Sequence, residues 1–153
     1  MKLYLMRHGE ALSSQADPER GLSDFGKYQI TKISKHLQQQ GLMFERVCHS
    51  NRKRAKQTAE IMTQTITPNI QMELLENITP TDDPSLIIDT VNSWDKDTLV
   101  TSHLPFIPDL LTLLTGQDAY LTAITFETGT IICLEKNEQG YWELNWSSAP
   151  SEI

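Results

Sequence analysis

Five side chains in this chain have the types and placement to do chemistry together: Arg7, His8, Arg20, Arg54 and His103. Three guanidiniums offer forked, permanently charged donors that match an anion with several negative oxygens, and phosphate suits them. An imidazole among them is a nucleophile when unprotonated and can take up a phosphoryl group. Arg7 and His8 close the apolar run in "KLYLMRHGE", and Gly9 behind them leaves room for a ligand to approach the backbone. Arg54 lies in "SNRKRAK", and His103 follows "LVTS". A metal fits these residues poorly. Zinc wants histidine joined by carboxylate or thiolate, only Glu10 is near in sequence, and three guanidiniums repel a divalent cation.

The elements that must carry these residues alternate. Leu3 to Met6 reads as a buried strand, and "ALSSQADPERG" as a loop. Ser23 caps a helix whose apolar positions include Leu22, Ile30, Ile33 and Leu37, with Gly41 as its stop. Arg46 to His49 reads as a second strand. Ser50 or Asn51 then caps a helix with Ala55, Ala59 and Met62 on one face. Ile70 to Leu74 is a third strand. Pro84 opens a helix with Ile87, Val91 and Trp94 inward, and Leu99 to Ser102 is a strand again. Pro105 or Pro108 starts a Leu-rich helix that Gly116 ends. Ala123 to Leu134 and Tyr141 to Trp146 are strand-like runs joined by the turn-prone "KNEQG".

This order predicts one α/β domain over residues 1–153. It is a three-layer α/β/α sandwich with a mostly parallel central sheet and an antiparallel C-terminal strand pair. Ligands of such sheets gather beyond the carboxyl ends of the strands. That edge collects the loops after Met6, Cys48 and Thr101, so Arg7, His8, Arg20, Arg54 and His103 converge there. Helix starts at Ser50 and Pro105 add partial positive charge. His36 falls on a polar helix face and stays outside the site; His49 ends a strand close to it.

The bulk composition narrows the partners. A net charge of −7 argues against a broad nucleic-acid surface, although "RKRAK" at 52–56 is a basic cluster. No apolar run approaches the ~20 residues of a membrane span. The first residues lack the make-up of a signal peptide. Cys48 and Cys133, far apart in apolar contexts, read as reduced core residues, which points to the cytoplasm.

Four segments together resemble the histidine phosphatase superfamily, and within it the SixA-type bacterial phosphohistidine phosphatases. They are "LMRHGEA" at 5–11, "RGLSDFG" at 20–26, "SNRKRAKQTA" at 50–59 and "TSHLP" at 101–105. The resemblance runs in order from residue 1 to about 146. It implies His8 as the nucleophile that is transiently phosphorylated. Arg7, Arg20 and Arg54 become the phosphate-clamping arginines, and His103 the second histidine on the phosphoryl oxygens. It implies no cofactor and no metal.

Two departures from the family pattern stand out. Asn51 replaces the usual proline after Ser50. In "ELLENITPTDD", Asn77 falls where many members carry an acidic proton donor, leaving Glu76, Asp82 and Asp83 as candidate general acids. An alkoxide leaving group needs such an acid more than an imidazole does. The chain also lacks long insertions that would enclose a small metabolite. The expected substrate is a phosphohistidine-bearing protein such as a phosphotransfer domain, with inorganic phosphate released and neither nucleic acid nor membrane as partner. A phosphatase for small phosphate esters and a non-catalytic phosphate-reading module are the alternatives.

Overall fold

A computed structural model describes all 153 residues. Six strands form one sheet: β1 (Lys2–Arg7), β2 (Arg46–His49), β3 (Glu73–Leu74), β4 (Thr98–Ser102), β5 (Ile131–Lys136) and β6 (Trp142–Ser148). Their spatial order is β3-β2-β4-β1-β5-β6. β1 to β4 are mutually parallel, whereas β5 is antiparallel to both β1 and β6.

Alternation along β1 builds both faces of the sheet. Leu3 and Leu5 enter a core of 16 buried residues with Phe106, Ile107, Leu110, Leu111, Ile87 and Val91. Tyr4 and Met6 enter a second core of 14 with Ile30, Ile33, Leu37, Ala59 and Met62. Helices α1 (Asp24–Gln39) and α2 (Lys53–Ile66) therefore cover one face. Helices α3 (Ile88–Ser93) and α4 (Phe106–Thr115) cover the other, completing the three layers. No helix is long and apolar enough to cross a membrane.

Several boundaries differ from the sequence expectation. β3 is two residues rather than five. Pro84 opens a 3-10 turn (Pro84–Ile87) that leads into α3, so the third helix is split. The run from Ala123 does not extend as one strand. A short helix, α5 (Tyr120–Ala123), and a turn precede β5. Phe126 and Gly129 in that turn hold φ of +53° and +82°, which no strand accommodates. Pro105 rather than Pro108 stands at the start of α4, and Gly116, at φ +67°, ends it. Ser23 caps α1 as expected, accepting from the Gly26 N–H at 3.0 Å. Neither Ser50 nor Asn51 caps α2: Arg52 occupies the cap position without a side-chain hydrogen bond.

Candidate active site

Each residue at the carboxyl edge is anchored by backbone bonds between adjoining segments. Arg7 N–H donates to the Thr130 carbonyl (2.9 Å), and His8 N–H to the Ser102 carbonyl (3.1 Å). Ser50 N–H reaches the Thr101 carbonyl at 3.3 Å. The ends of β1, β2, β4 and the turn before β5 are thereby locked into one frame.

Close packing sets the position of His8. A side chain at Gly9 would start 2.9 Å from both the Gly26 carbonyl and Ile30, and one at Gly26 would start 2.1 Å from the Glu10 carbonyl. These two glycines let β1 run directly onto α1. Gly9 is thus required by the helix behind it, which is a different reason from the ligand approach inferred from sequence. Gly9 N–H donates to Thr58 Oγ1 (3.1 Å), and that hydroxyl donates to the Arg54 carbonyl (2.8 Å), tying the loop that carries His8 to the first turn of α2.

His8 is 8% exposed. Its Nδ1 lies 2.6 Å from the Gly9 carbonyl, which can only accept, so the neutral ring carries its proton there and its lone pair at Nε2. Arg54 Nε points at that lone pair from 3.3 Å. The His103 ring lies 5.1 Å away, centroid to centroid, and is almost wholly buried. His103 Nε2 meets Ser50 Oγ at 2.6 Å, while its Nδ1 is buried without a partner. Arg7 is held by the Phe126 carbonyl through Nη1 at 2.8 Å, leaving a buried Nε unpaired.

Arg20 occupies the left-handed region at φ +50°, a conformation costing about 1–2 kcal/mol for a side-chain-bearing residue. Asp17 holds the turn. It accepts from the N–H groups of Glu19 (3.1 Å) and Gly21 (2.9 Å), and from Lys53 Nζ at 3.0 Å. Arg20 Nε in turn donates to the Leu12 carbonyl at 3.0 Å. Asp17 was not among the residues singled out from sequence; the turn-rich "ADPERG" was its only trace.

Burial governs the electrostatics. It pushes His8 down to about 4; the Gly9 hydrogen bond opposes this, and Arg54, Arg7 and Arg20 add to it. Burial also takes His103 to about 3, with His8 and Arg54 contributing. For both rings desolvation is a larger cause than guanidinium repulsion. Both rings are neutral at pH 7.

The candidate acids lie differently. Asp82 accepts from Thr79 N–H (2.8 Å) and Oγ1 (2.6 Å), and Asp83 from Ser85 N–H (2.9 Å). These bonds hold both carboxyls below the usual range. Glu76 is exposed beyond β3, and Asn77 beside it takes φ +66°. His36 sits in the last turn of α1 against Gln40, away from the edge. His49 is buried, with Nδ1 2.8 Å from the Ser50 carbonyl. An open groove of about 920 Å³ leads from Arg20, Ser50 and Arg54, past His49, to Met72 and Leu74 at the β3 edge.

A neutral ring nitrogen with a fixed lone pair, set among guanidiniums at the strand ends of an α/β sheet, defines the class: a phosphatase of the phosphoryl-transfer type. A model of the histidine phosphatase superfamily (branch 1) matches residues 3–79, and the chain belongs to that superfamily. It is similar along its whole length to phosphohistidine phosphatase SixA of Escherichia coli (strain K12), at 28% identity over 96% of that protein. The structure of the protein histidine phosphatase SixA complexed with tungstate matches with a TM-score of 0.88 and 28% identity, covering 99% of both chains. A putative phosphohistidine phosphatase SixA from Agrobacterium tumefaciens shares the fold, with a TM-score of 0.82 at 18% identity over 97% of both chains.

Proposed function

We propose that residues 1–153 act as one catalytic domain that removes phosphate from phosphohistidine on a protein, through a transient phosphate on His8 Nε2. In the first step Nε2 attacks phosphorus and the bond from phosphorus to the substrate imidazole breaks. The electron pair stays on that imidazole, which is protonated before it leaves. Water then attacks phosphorus, the P–Nε2 bond returns its pair to His8, and the water proton departs with inorganic phosphate. Arg7, Arg20 and Arg54 hold the equatorial oxygens, and His103, steadied by Ser50, completes the ring of donors.

The observation that carries this reading is the Gly9 carbonyl at 2.6 Å from His8 Nδ1, which leaves Nε2 as the free lone pair beside Arg54. Three points support phosphohistidine as substrate. A relative similar over the whole chain bears the name phosphohistidine phosphatase SixA. Asn77 stands at the position of the family's acid, and Asp82 and Asp83 are committed to turn caps. The groove is open enough for phosphate displayed on a phosphotransfer domain. The free, buried Cys48 and Cys133 fit a reducing cytoplasm. No cofactor enters the scheme.

The test is turnover measured side by side on a phosphohistidine-bearing phosphotransfer domain and a panel of small phosphate esters. Phosphohistidine should lead in kcat/KM. Steady hydrolysis of phosphoserine or sugar phosphates clearly above it would reject the substrate.

A further inference from the structure

The basic cluster at 52–56 is not consumed by the reaction scheme. Five of the chain's 13 lysines and arginines line the single groove that opens from the site, in a protein whose net charge is −7. Arg20 and Arg54 belong to the phosphate. Lys53 is neutralised by Asp17 at 3.0 Å and Glu19 at 3.7 Å. Arg52 and Lys56 remain. They are exposed, one helical turn apart, and have no carboxylate within ion-pairing distance. Nearby acids are engaged elsewhere: Glu73 with Arg46 at 3.4 Å, and Asp82 with Thr79. Beyond these two cations the groove wall is apolar, formed by Met72 and by Leu74, which is 52% exposed on the edge strand.

We infer that this groove docks an acidic segment of the substrate protein, carrying the residues that flank the phosphorylated side chain. Arg52 and Lys56 read the flanking carboxylates, while Met72 and Leu74 cover an apolar residue beside them. The inference rests on the reading that the site takes phosphate borne by a protein. Two unpaired cations beside a phosphate clamp favour an anionic partner over a neutral one and steer its approach. A protein segment fits better than nucleic acid, because the groove lining has no Phe, Tyr or Trp for bases to stack on, its one imidazole, His49, is buried, and the rest of the molecule repels a polyanion.

The experiment compares phosphohistidine peptides flanked by glutamates, alanines or lysines, on wild type and on the double variant R52E/K56E. Wild type should favour the glutamate series over the alanine series by about tenfold in kcat/KM, shrinking as salt rises. The variant should invert that order toward lysine flanks, while free phosphoramidate is hydrolysed equally by both proteins. Equal use of all three series by wild type on phosphohistidine and phosphoserine alike, or an unchanged preference in the variant, overturns the groove. So does inhibition by a random-sequence oligonucleotide that exceeds inhibition by polyglutamate. The same series built on phosphoserine separates the two ideas. An acidic preference seen only there keeps the groove and rejects phosphohistidine; a preference absent from both substrates rejects the groove.

Discussion

Arg54 Nε lies 3.3 Å from His8 Nε2, so a cation that would hold the phosphate also marks the lone pair that would attack it. A phosphoryl group entering between them exchanges that hydrogen bond for contacts to its own oxygens. Arg54→Ala should therefore lower kcat/KM about 100-fold, the usual effect of losing one preorganised donor. Arg54→Lys should recover only part of this, since an ammonium lacks the fork. Steady-state kinetics within twofold of wild type for the alanine variant would remove Arg54 from the scheme.

Ser50 Oγ and His103 Nε2 meet at 2.6 Å in a fully buried position. In the proposed scheme Ser50 acts through the histidine rather than on the phosphate. Ser50→Ala should cost about fivefold to tenfold in kcat, the worth of one buried hydrogen bond, with KM little changed. The pH profile of kcat should shift as well, because His103 loses a partner. A rise in KM at constant kcat would mean instead that Ser50 binds substrate.

The two neutral imidazoles set the pH behaviour. With His8 at about 4, its lone pair stays available well below pH 6.5, and kcat/KM should keep an active plateau down to about pH 5. An acid limb that rises only above pH 8 contradicts this.

Stability carries the same signature. Unfolded histidines titrate near ~6.5, while His8 and His103 hold at about 4 and about 3. The unfolded chain thus binds more protons between those values, and stability falls as pH drops from about 6.5 toward 4. From pH 7 to 5 the two rings together should cost roughly 4 kcal/mol, read from urea midpoints. A loss of half that size would show one ring taking up its proton in the native state, and a flat midpoint would show both doing so.

What could be read from sequence divides by physical cause. Arg7, His8, Arg54 and His103 were legible because strand ends in a parallel sheet share an edge, and each residue lies within a few positions of a strand end or a helix start. Ser50 was misread as a helix cap, since a serine before a helix has that use by default and its bond to His103 spans 53 residues. The Phe126 carbonyl that holds Arg7 was invisible, because backbone acceptors carry no sequence mark. The same turn broke the long strand expected from Ala123, where local β propensity yielded to positive φ at Phe126 and Gly129. Thr58 was hidden inside a helix pattern, its hydroxyl bonding back to the previous turn while accepting from Gly9.

Gly26 gives a test of the scaffold independent of chemistry. A methyl group there would begin 2.1 Å from the Glu10 carbonyl, a backbone atom in the loop that carries His8. Gly26→Ala should destabilise the protein by about 3 kcal/mol, beyond the gain in helix propensity, and misplace His8. A variant as stable as wild type in urea would show that β1 and α1 can part without cost.

The central claim is that His8 itself receives the phosphate, and rapid quench with a radiolabelled phosphohistidine protein tests it most directly. Wild type should show a transient phosphoenzyme that is stable in base and lost in acid. His8→Ala should show neither the adduct nor turnover while keeping its fold by circular dichroism. An acid-stable adduct, or turnover retained without His8, would contradict the account.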